Sequence, residues 1–346
     1  MFDYRGKCYR IATVLLGAFL LAAPRSAQAT FVPFGIGVET EHHAYVLSES
    51  QNKYPWTVQE IPLTPGGRMR VLGGPLTDFC HTGNLATHQL LSLAISPSGR
   101  LYVSGFFGPK CEPGIEAFAA GAGGNVRPIL RIQGDNTHLH IPISMAFDRD
   151  GRLYVSQGKL DFPRRRPGQV DIFADGAHGN VAPIAILIGP KTQILDGVPV
   201  YVAVDATGAI FVAQLGTGVS ESQVLKFAPG SHGDVAPVAS TELSNGLYVN
   251  EIQAVGDTVY VAMGFVPSLD PTVYKLRSSD LTITDMLNSP DYNFIHAAAD
   301  EVGRLYVQTI GGGYPSTLFV YPPSSNTPRK EISDSIGGSG YVVIGP

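Results

Sequence analysis

The chain has 346 residues, with 24 Lys and Arg against 29 Asp and Glu, a formal charge of −5 at neutral pH. No basic run exists beyond Arg164-Arg165-Arg166, which excludes a nucleic-acid footprint, because phosphate recognition needs clustered cations. Only 15% of the residues are charged while 40 are Gly and 26 are Pro, a composition of turn-dense β structure rather than disorder.

The chain opens with Arg5, Lys7 and Arg10, then an apolar run from Ile11 to Ala23, then Ala27-Gln28-Ala29. Basic head, apolar centre and small-residue site are the pattern of a secretory signal peptide over residues 1–29. The run is too short for a permanent membrane span. No cysteine adjoins the cleavage site, so no lipid anchor is expected. Cleavage would leave 20 Lys and Arg against 28 Asp and Glu. A soluble, monomeric, extracytoplasmic protein, periplasmic or secreted, is the expectation. Cys8 departs with the signal, and Cys80 and Cys111 remain as an even pair in an oxidising compartment. A disulfide between them would stabilise by about 3–4 kcal/mol. Two free thiols or half of a metal site are the other readings, and no CxxC spacing supports the second.

In chain order, one pattern recurs: an apolar strand, a polar turn, then an aromatic residue followed by Val. It begins at Phe34, Leu91, Ile143, Val200, Glu251 and Ile295, with the aromatic at Tyr45, Tyr102, Tyr154, Phe211, Tyr260 and Tyr306. The middle turns, Ser-Pro-Ser-Gly, Asp-Arg-Asp-Gly and Asp-Ala-Thr-Gly, end on a glycine suited to the positive φ that closes a hairpin. Third strands follow at Val58–Ile61, Ile115–Phe118, Val170–Phe173, Val224–Phe227, Val273–Leu276 and Leu318–Tyr321. A fourth, outer strand is expected to open at Asn125-Val126-Arg127-Pro128, Asn180-Val181-Ala182-Pro183 and Asp234-Val235-Ala236-Pro237, since proline suits a sheet edge. No segment sustains a helical period, so almost no helix is predicted. Four antiparallel strands repeated six times at roughly 50 residues predict an all-β fold, a six-bladed β-propeller forming one domain over residues 30–346. Tyr341–Ile344 is a further strand after the last unit, placed to augment or replace a strand of the first blade and tie the chain ends together.

Three segments carry a resemblance: Ile115–Gly134, Val170–Gly189 and Val224–Leu243 are near-copies built on FAxGAxGNVAP. With the hairpin ending in LYV, this is similar to exported bacterial NHL-repeat-type propellers, within the wider gluconolactonase and NHL-like group. The Asn-His-Leu tripeptide itself is absent. The resemblance implies the architecture; such propellers include binding modules as well as enzymes.

Propeller topology puts the second-to-third-strand loops and the blade crossings on one face. Here those loops are long: Gly105–Gly114, Gly158–Gly168, Gln214–Ser222, Gly264–Pro271 and Thr309–Ser316. That face carries Cys80 and Cys111, Asp78, His81, Asp161, Asp196, Asp270, Asp291 and Tyr314. His138-Leu139-His140 would set two imidazoles on one side of an extended segment, and Arg165 with its neighbours would suit a carboxylate or acidic sugar. A solvated loop and a solvated charge run are the plainer readings of both. First strands begin at the channel mouth with Gly35, Ser92, Ser144, Tyr201, Asn250 or Glu251, and His296. Lactonase-type propellers hold a divalent cation there. In this chain only Asn250, Glu251 and His296 suit one, short of the roughly six oxygens a hard cation takes. No G-x-S-x-G elbow and no Gly-rich phosphate loop is present. The expectation is an exported, non-enzymatic propeller that binds a cell-envelope protein, glycan or small molecule on the long-loop face. The alternative is a divalent-metal-dependent, lactonase-like hydrolase or lyase with Glu251 and His296 catalytic. No cofactor is expected beyond, in that alternative, a divalent cation such as Ca.

Overall fold

The computed structural model describes residues 43–49, 56–62, 70–80, 90–158, 168–196, 200–215, 222–243, 248–264, 272–288, 293–310, 317–323, 325–328, 330–332 and 343–344. Residues 1–42 lie outside this set, including the signal sequence, Gly35 and the strand expected at Phe34–Val38. So do His81, Asp161, Arg164–Arg166, Asp270, Asp291 and Tyr314, and with them the five long loops in all but their ends, Gly105–Gly114 excepted.

The described strands form six four-stranded sheets. One combines β1 (His43–Glu49), β2 (Trp56–Pro62) and β3 (Arg70–Leu72) with β24 (Val343–Ile344). The next holds β4 (Leu90–Ile95), β5 (Leu101–Phe107), β6 (Glu112–Phe118) and β7 (Leu130–Gln133). It is followed by β8 (Pro142–Phe147), β9 (Leu153–Gln157), β10 (Gln169–Phe173) and β11 (Ala185–Leu187). Then come β12 (Val200–Val204), β13 (Ile210–Leu215), β14 (Ser222–Phe227) and β15 (Ala239–Leu243). The fifth sheet has β16 (Tyr248–Val255), β17 (Thr258–Gly264), β18 (Thr272–Arg277) and β19 (Ile283–Asn288). The sixth has β20 (Asn293–Ala299), β21 (Leu305–Ile310), β22 (Thr317–Tyr321) and β23 (Lys330–Ile332). Each sheet is antiparallel, and β4, β8, β12, β16, β20 and β24 neighbour one another in that order. The fold is therefore an all-β propeller of four-stranded antiparallel blades. β24 pairs with β1 at Ala44↔Ile344 and Tyr45↔Val343, so the end of the chain supplies the inner strand of the first sheet.

Alternation within the strands builds the core between blades. The six recurring aromatics are all buried, from Phe211 at 0% to Tyr260 at 7% exposure, which makes them packing residues. Phe118, Phe173 and Phe227 end the third strands of three successive sheets and are wholly buried, each contributing about 1.5–3 kcal/mol. The hairpin turns close as their sequence requires, with Gly151 at φ 81° and Gly208 at φ 85°. Within them the Asp148 and Asp300 carboxylates cap the turn amides, and each also accepts a hydrogen bond from the Tyr154 or Tyr306 hydroxyl at 3.2 Å.

Three details differ from the sequence reading. Asn125–Pro128 and its two copies do not open the fourth strands, which start at Leu130, Ala185 and Ala239. They form instead the turn that grips the preceding blade. Asn125 Oδ1 accepts from Leu76 N at 2.7 Å, Asn180 Oδ1 from Asn136 N at 2.8 Å, and Asp234 Oδ1 from Lys191 N at 2.7 Å. Each gripped turn is a Gly-x-x-Thr segment in which Thr77, Thr137 or Thr192 donates back to the glycine carbonyl at 2.6 Å. Two of these turns form the single-turn 3-10 helices Asp135–Thr137 and Pro190–Thr192. Secondly, the loop expected over Gly105–Gly114 is mostly ladder, because β5 and β6 stay paired as far as Phe107↔Glu112. Thirdly, His138 is not extended; it takes the left-handed conformation, φ 60°, at the end of its 3-10 turn.

Candidate functional site

Register assigns one residue from each of five inner strands, β4, β8, β12, β16 and β20, to the same level of the channel. Ser92 faces Ser104, Ser144 faces Ser156, Tyr201 faces Ala213, Glu251 faces Ala262 and His296 faces Gln308. In four of these five strands a β-bulge immediately precedes the residue, at Leu90/Ser92, Pro142/Ser144, Val249/Glu251 and Phe294/His296. A bulge re-aims the side chain that follows it. β12 has none and presents the large Tyr201 instead.

All five are buried: Ser92, Ser144 and Tyr201 at 2%, Glu251 at 7% and His296 at 0% exposure. Asn250, in the bulge of β16, is also buried. His296 Nδ1 lies 3.3 Å from Glu251 Oε2, joining the fifth and sixth blades. Complete burial holds the His296 imidazole well below its usual range, so it is neutral at physiological pH. Burial first, and the Glu251 carboxylate second, push the Tyr201 phenol upward, so it stays protonated. Ser144 Oγ bridges to β12, accepting from Val202 N at 3.3 Å. Behind the ring, Ser104 donates to the Pro142 carbonyl at 2.8 Å and Ser156 to the Val200 carbonyl at 2.6 Å, each reaching the next blade. Gln308 occupies that register in the sixth blade, and both atoms of its buried amide lack a hydrogen bond.

Thus Ser92, Ser144, Tyr201, Glu251 and His296 share one register of their strands, with Asn250 in the bulge beside Glu251, and of these side chains Glu251 and His296 are in contact. His138 and His140 do not join them. Both residues are exposed on the crossing into the third blade, where the Gln157 amide holds their backbone (His138 O at 2.8 Å, His140 N at 2.6 Å). That amide also bonds the buried Asp171, whose carboxyl is pushed up to about 6 mainly by burial. Arg165 lies outside the described residues. Among the described residues no group of three or more His, Cys, Asp or Glu is placed to hold a metal ion. Cys80 and Cys111 form a disulfide with Cα atoms 5.2 Å apart, pinned by Cys80 N donating to the Phe106 carbonyl and by Phe79 packing on Phe107 and Phe118. Sequence reasoning missed the bulges, which leave no residue signature. It also missed the pairing of Arg131 with both Asp78 and Glu116, which joins residues of three separate segments.

No protein-family model matches the chain, and no curated protein is similar to it in sequence. Solved structures share the fold. A PQQ-bound aldose sugar dehydrogenase from Streptomyces coelicolor is 16% identical, with a TM-score of 0.52, over 92% of this chain and 98% of that one. A putative oxidoreductase (glucose dehydrogenase) from Thermus thermophilus is 17% identical, with a TM-score of 0.53, over 81% and 91%. TolB from Acinetobacter baumannii is 13% identical, with a TM-score of 0.57, over 87% of this chain and 65% of that one. At these identities the likeness is one of fold. No helix among the described residues is long and apolar enough to cross a membrane.

Proposed function

We propose that the chain is an exported, six-bladed binding propeller, closed by its C-terminal strand, that receives a hydroxyl-rich ligand such as a glycan end at the long-loop mouth of its channel. The observation that carries this reading is the ring: one polar side chain from each of five blades at a single register, four of them re-aimed by a bulge. Hydroxyls of Ser92, Ser144 and Tyr201, the Asn250 amide, the Glu251 carboxylate and a neutral imidazole offer donors and acceptors with no fixed cation, a set suited to neutral hydroxyls. Glu251, with 9% of its side chain exposed, is the point of entry, and the unbonded Gln308 amide, at the register of His296 on the next strand, adds a donor and an acceptor. Export rests on the N-terminal signal pattern, and kinship with NHL-type propellers on the FAxGAxGNVAP copies.

The alternative, a hydrolase or lyase at the same ring, draws on the contact between Glu251 and His296. It needs further metal ligands that the described residues do not place there. PQQ, bound by the Streptomyces protein, is a polycarboxylate. The described ring residues supply one carboxylate and no Lys or Arg to meet its carboxylates, and no dehydrogenase step is assigned to them.

The test titrates the purified chain with soluble envelope oligosaccharides and analyses the products. Saturable binding, weakened tenfold or more by Glu251→Gln and leaving the ligand intact, is expected. Turnover dependent on stoichiometric metal would assign the hydrolase instead, and absence of saturable binding would remove the glycan reading.

A further inference from the structure

At the other mouth of the channel, the first hairpin turns of the second, third and fourth blades border a shallow, solvent-open cavity of about 330 Å³. Its walls include Ile95, Phe147 and Val204, the last residues of three inner strands, together with Pro97, Arg149 and Asp205.

The three described Asp-x-x-Gly turns are built alike but not satisfied alike. In Asp148 one oxygen caps the turn amides while Oδ2 accepts from Arg152 Nε at 2.6 Å and from the Tyr154 hydroxyl at 3.2 Å. Asp300 repeats this with Arg304 and Tyr306. In the fourth blade the two donor positions hold Ala209 and Phe211. Asp205 Oδ1 still caps the turn, accepting from Thr207 N, Thr207 Oγ1 and Ala209 N at 2.6–3.0 Å. Its Oδ2 accepts from no donor among the described residues and remains open to solvent, although the residue as a whole is only 7% exposed. That leaves one carboxylate oxygen facing the cavity free to take a charge-assisted hydrogen bond from a cationic donor. Arg149, exposed on the neighbouring turn, is the cation that lines the same cavity.

We propose that this cavity binds a small zwitterion with an apolar body, an α-amino acid of the size of leucine. Its ammonium donates to Asp205 Oδ2, its carboxylate accepts from the Arg149 guanidinium, and its side chain packs on Ile95, Phe147 and Val204. Asp148 does not compete for the ammonium, because its own Oδ2 is already occupied. The site is separate from the long-loop mouth and stands whether or not a glycan binds there.

Calorimetric titration of the full chain with L-leucine and with 3-methylbutylamine, which keeps the body and the ammonium but lacks the carboxylate, tests the assignment. Wild type should bind L-leucine saturably and at least tenfold more tightly than the amine. Asp205→Asn, which retains a turn-capping oxygen, should weaken both ligands tenfold or more. Arg149→Gln, a change at an exposed side chain that leaves the fold intact, should weaken L-leucine and leave the amine unchanged. No saturable L-leucine binding by wild type would overturn the proposal. So would Asp205→Asn binding like wild type, or Arg149→Gln failing to discriminate between the two ligands.

Discussion

Glu116 and Asp78 share one guanidinium. Arg131 lies 2.5 Å from Asp78 and closer still to Glu116, whose second oxygen is buried without a hydrogen bond. Two carboxylates on one cation leave a net negative charge, and a proton settles on the one that water cannot reach. Burial accordingly pushes the Glu116 carboxyl up to about 8, against the opposing pull of Arg131. A folded-state value above the unfolded one means that the unfolded chain releases this proton first. The contribution is then intact below about 4.5 and is lost as pH rises to about 8. Glu116→Gln should remove that loss. Between pH 5 and pH 9, denaturant unfolding of the wild type should lose a few kcal/mol that the variant keeps. Equal slopes in the two proteins would show that Glu116 is already ionised. Asp78→Asn, which leaves Arg131 to Glu116 alone, should move the loss to lower pH.

At the level of elements, the recurring Gly-Asn-Val-x-Pro segment acts on its neighbour rather than on its own blade. Asn180 caps the turn that starts at Gly134, where φ is 122° and an added Cβ would lie 2.6 Å from the Asn180 side chain. Asn180→Ala should cost about 1 kcal/mol through the lost cap. Gly134→Ala should cost more, because it meets both the backbone strain and the Asn180 side chain. The double variant should cost less than the two singles combined, since Asn180→Ala removes the two contacts at 2.6 Å and leaves the strain and a milder 3.0 Å contact with the Cβ of residue 180. Strict additivity in urea unfolding would show that the two residues do not touch. This also marks where the sequence stops being readable. Strand positions, the turn glycines and the buried aromatics follow from local alternation and turn chemistry, which each unit states for itself. The ring at Ser92, Ser144, Tyr201, Glu251 and His296 was legible because it sits at one offset from the turn in every copy. The latch was not, because Asn180 reads as a strand opener until Asn136 is found beside it, 44 residues away. Asp205 was legible in principle: DATGAIF lacks the Arg and Tyr that DRDGRLY and DEVGRLY supply to the same aspartate. The significance appears only once those two side chains are seen to bond the second carboxylate oxygen.

For the whole molecule, the described latches join the first four blades, through Asn125, Asn180 and Asp234. The fifth and sixth are held differently: the Gln253 amide bonds both the N–H and the carbonyl of Ala299, at 2.6 and 3.2 Å. Between the fourth and fifth, Lys226 Nζ donates to the Ser279 carbonyl at 2.9 Å. The seam that closes the ring depends on β24 meeting β1 at Ala44↔Ile344 and Tyr45↔Val343. If that pairing fails, the ring opens and the channel that aligns the five polar residues loses its sixth wall. The most direct test is a cross-link across this seam, in the variant Ala44→Cys/Ile344→Cys. Mild oxidation of the folded protein should join the two cysteines. Closing a loop of about 300 residues should then raise stability by about 6 kcal/mol on the chain-entropy estimate, with a clear rise in Tm that a reductant reverses. Two thiols that stay free in the folded, oxidised protein would contradict a propeller closed by its own C-terminus.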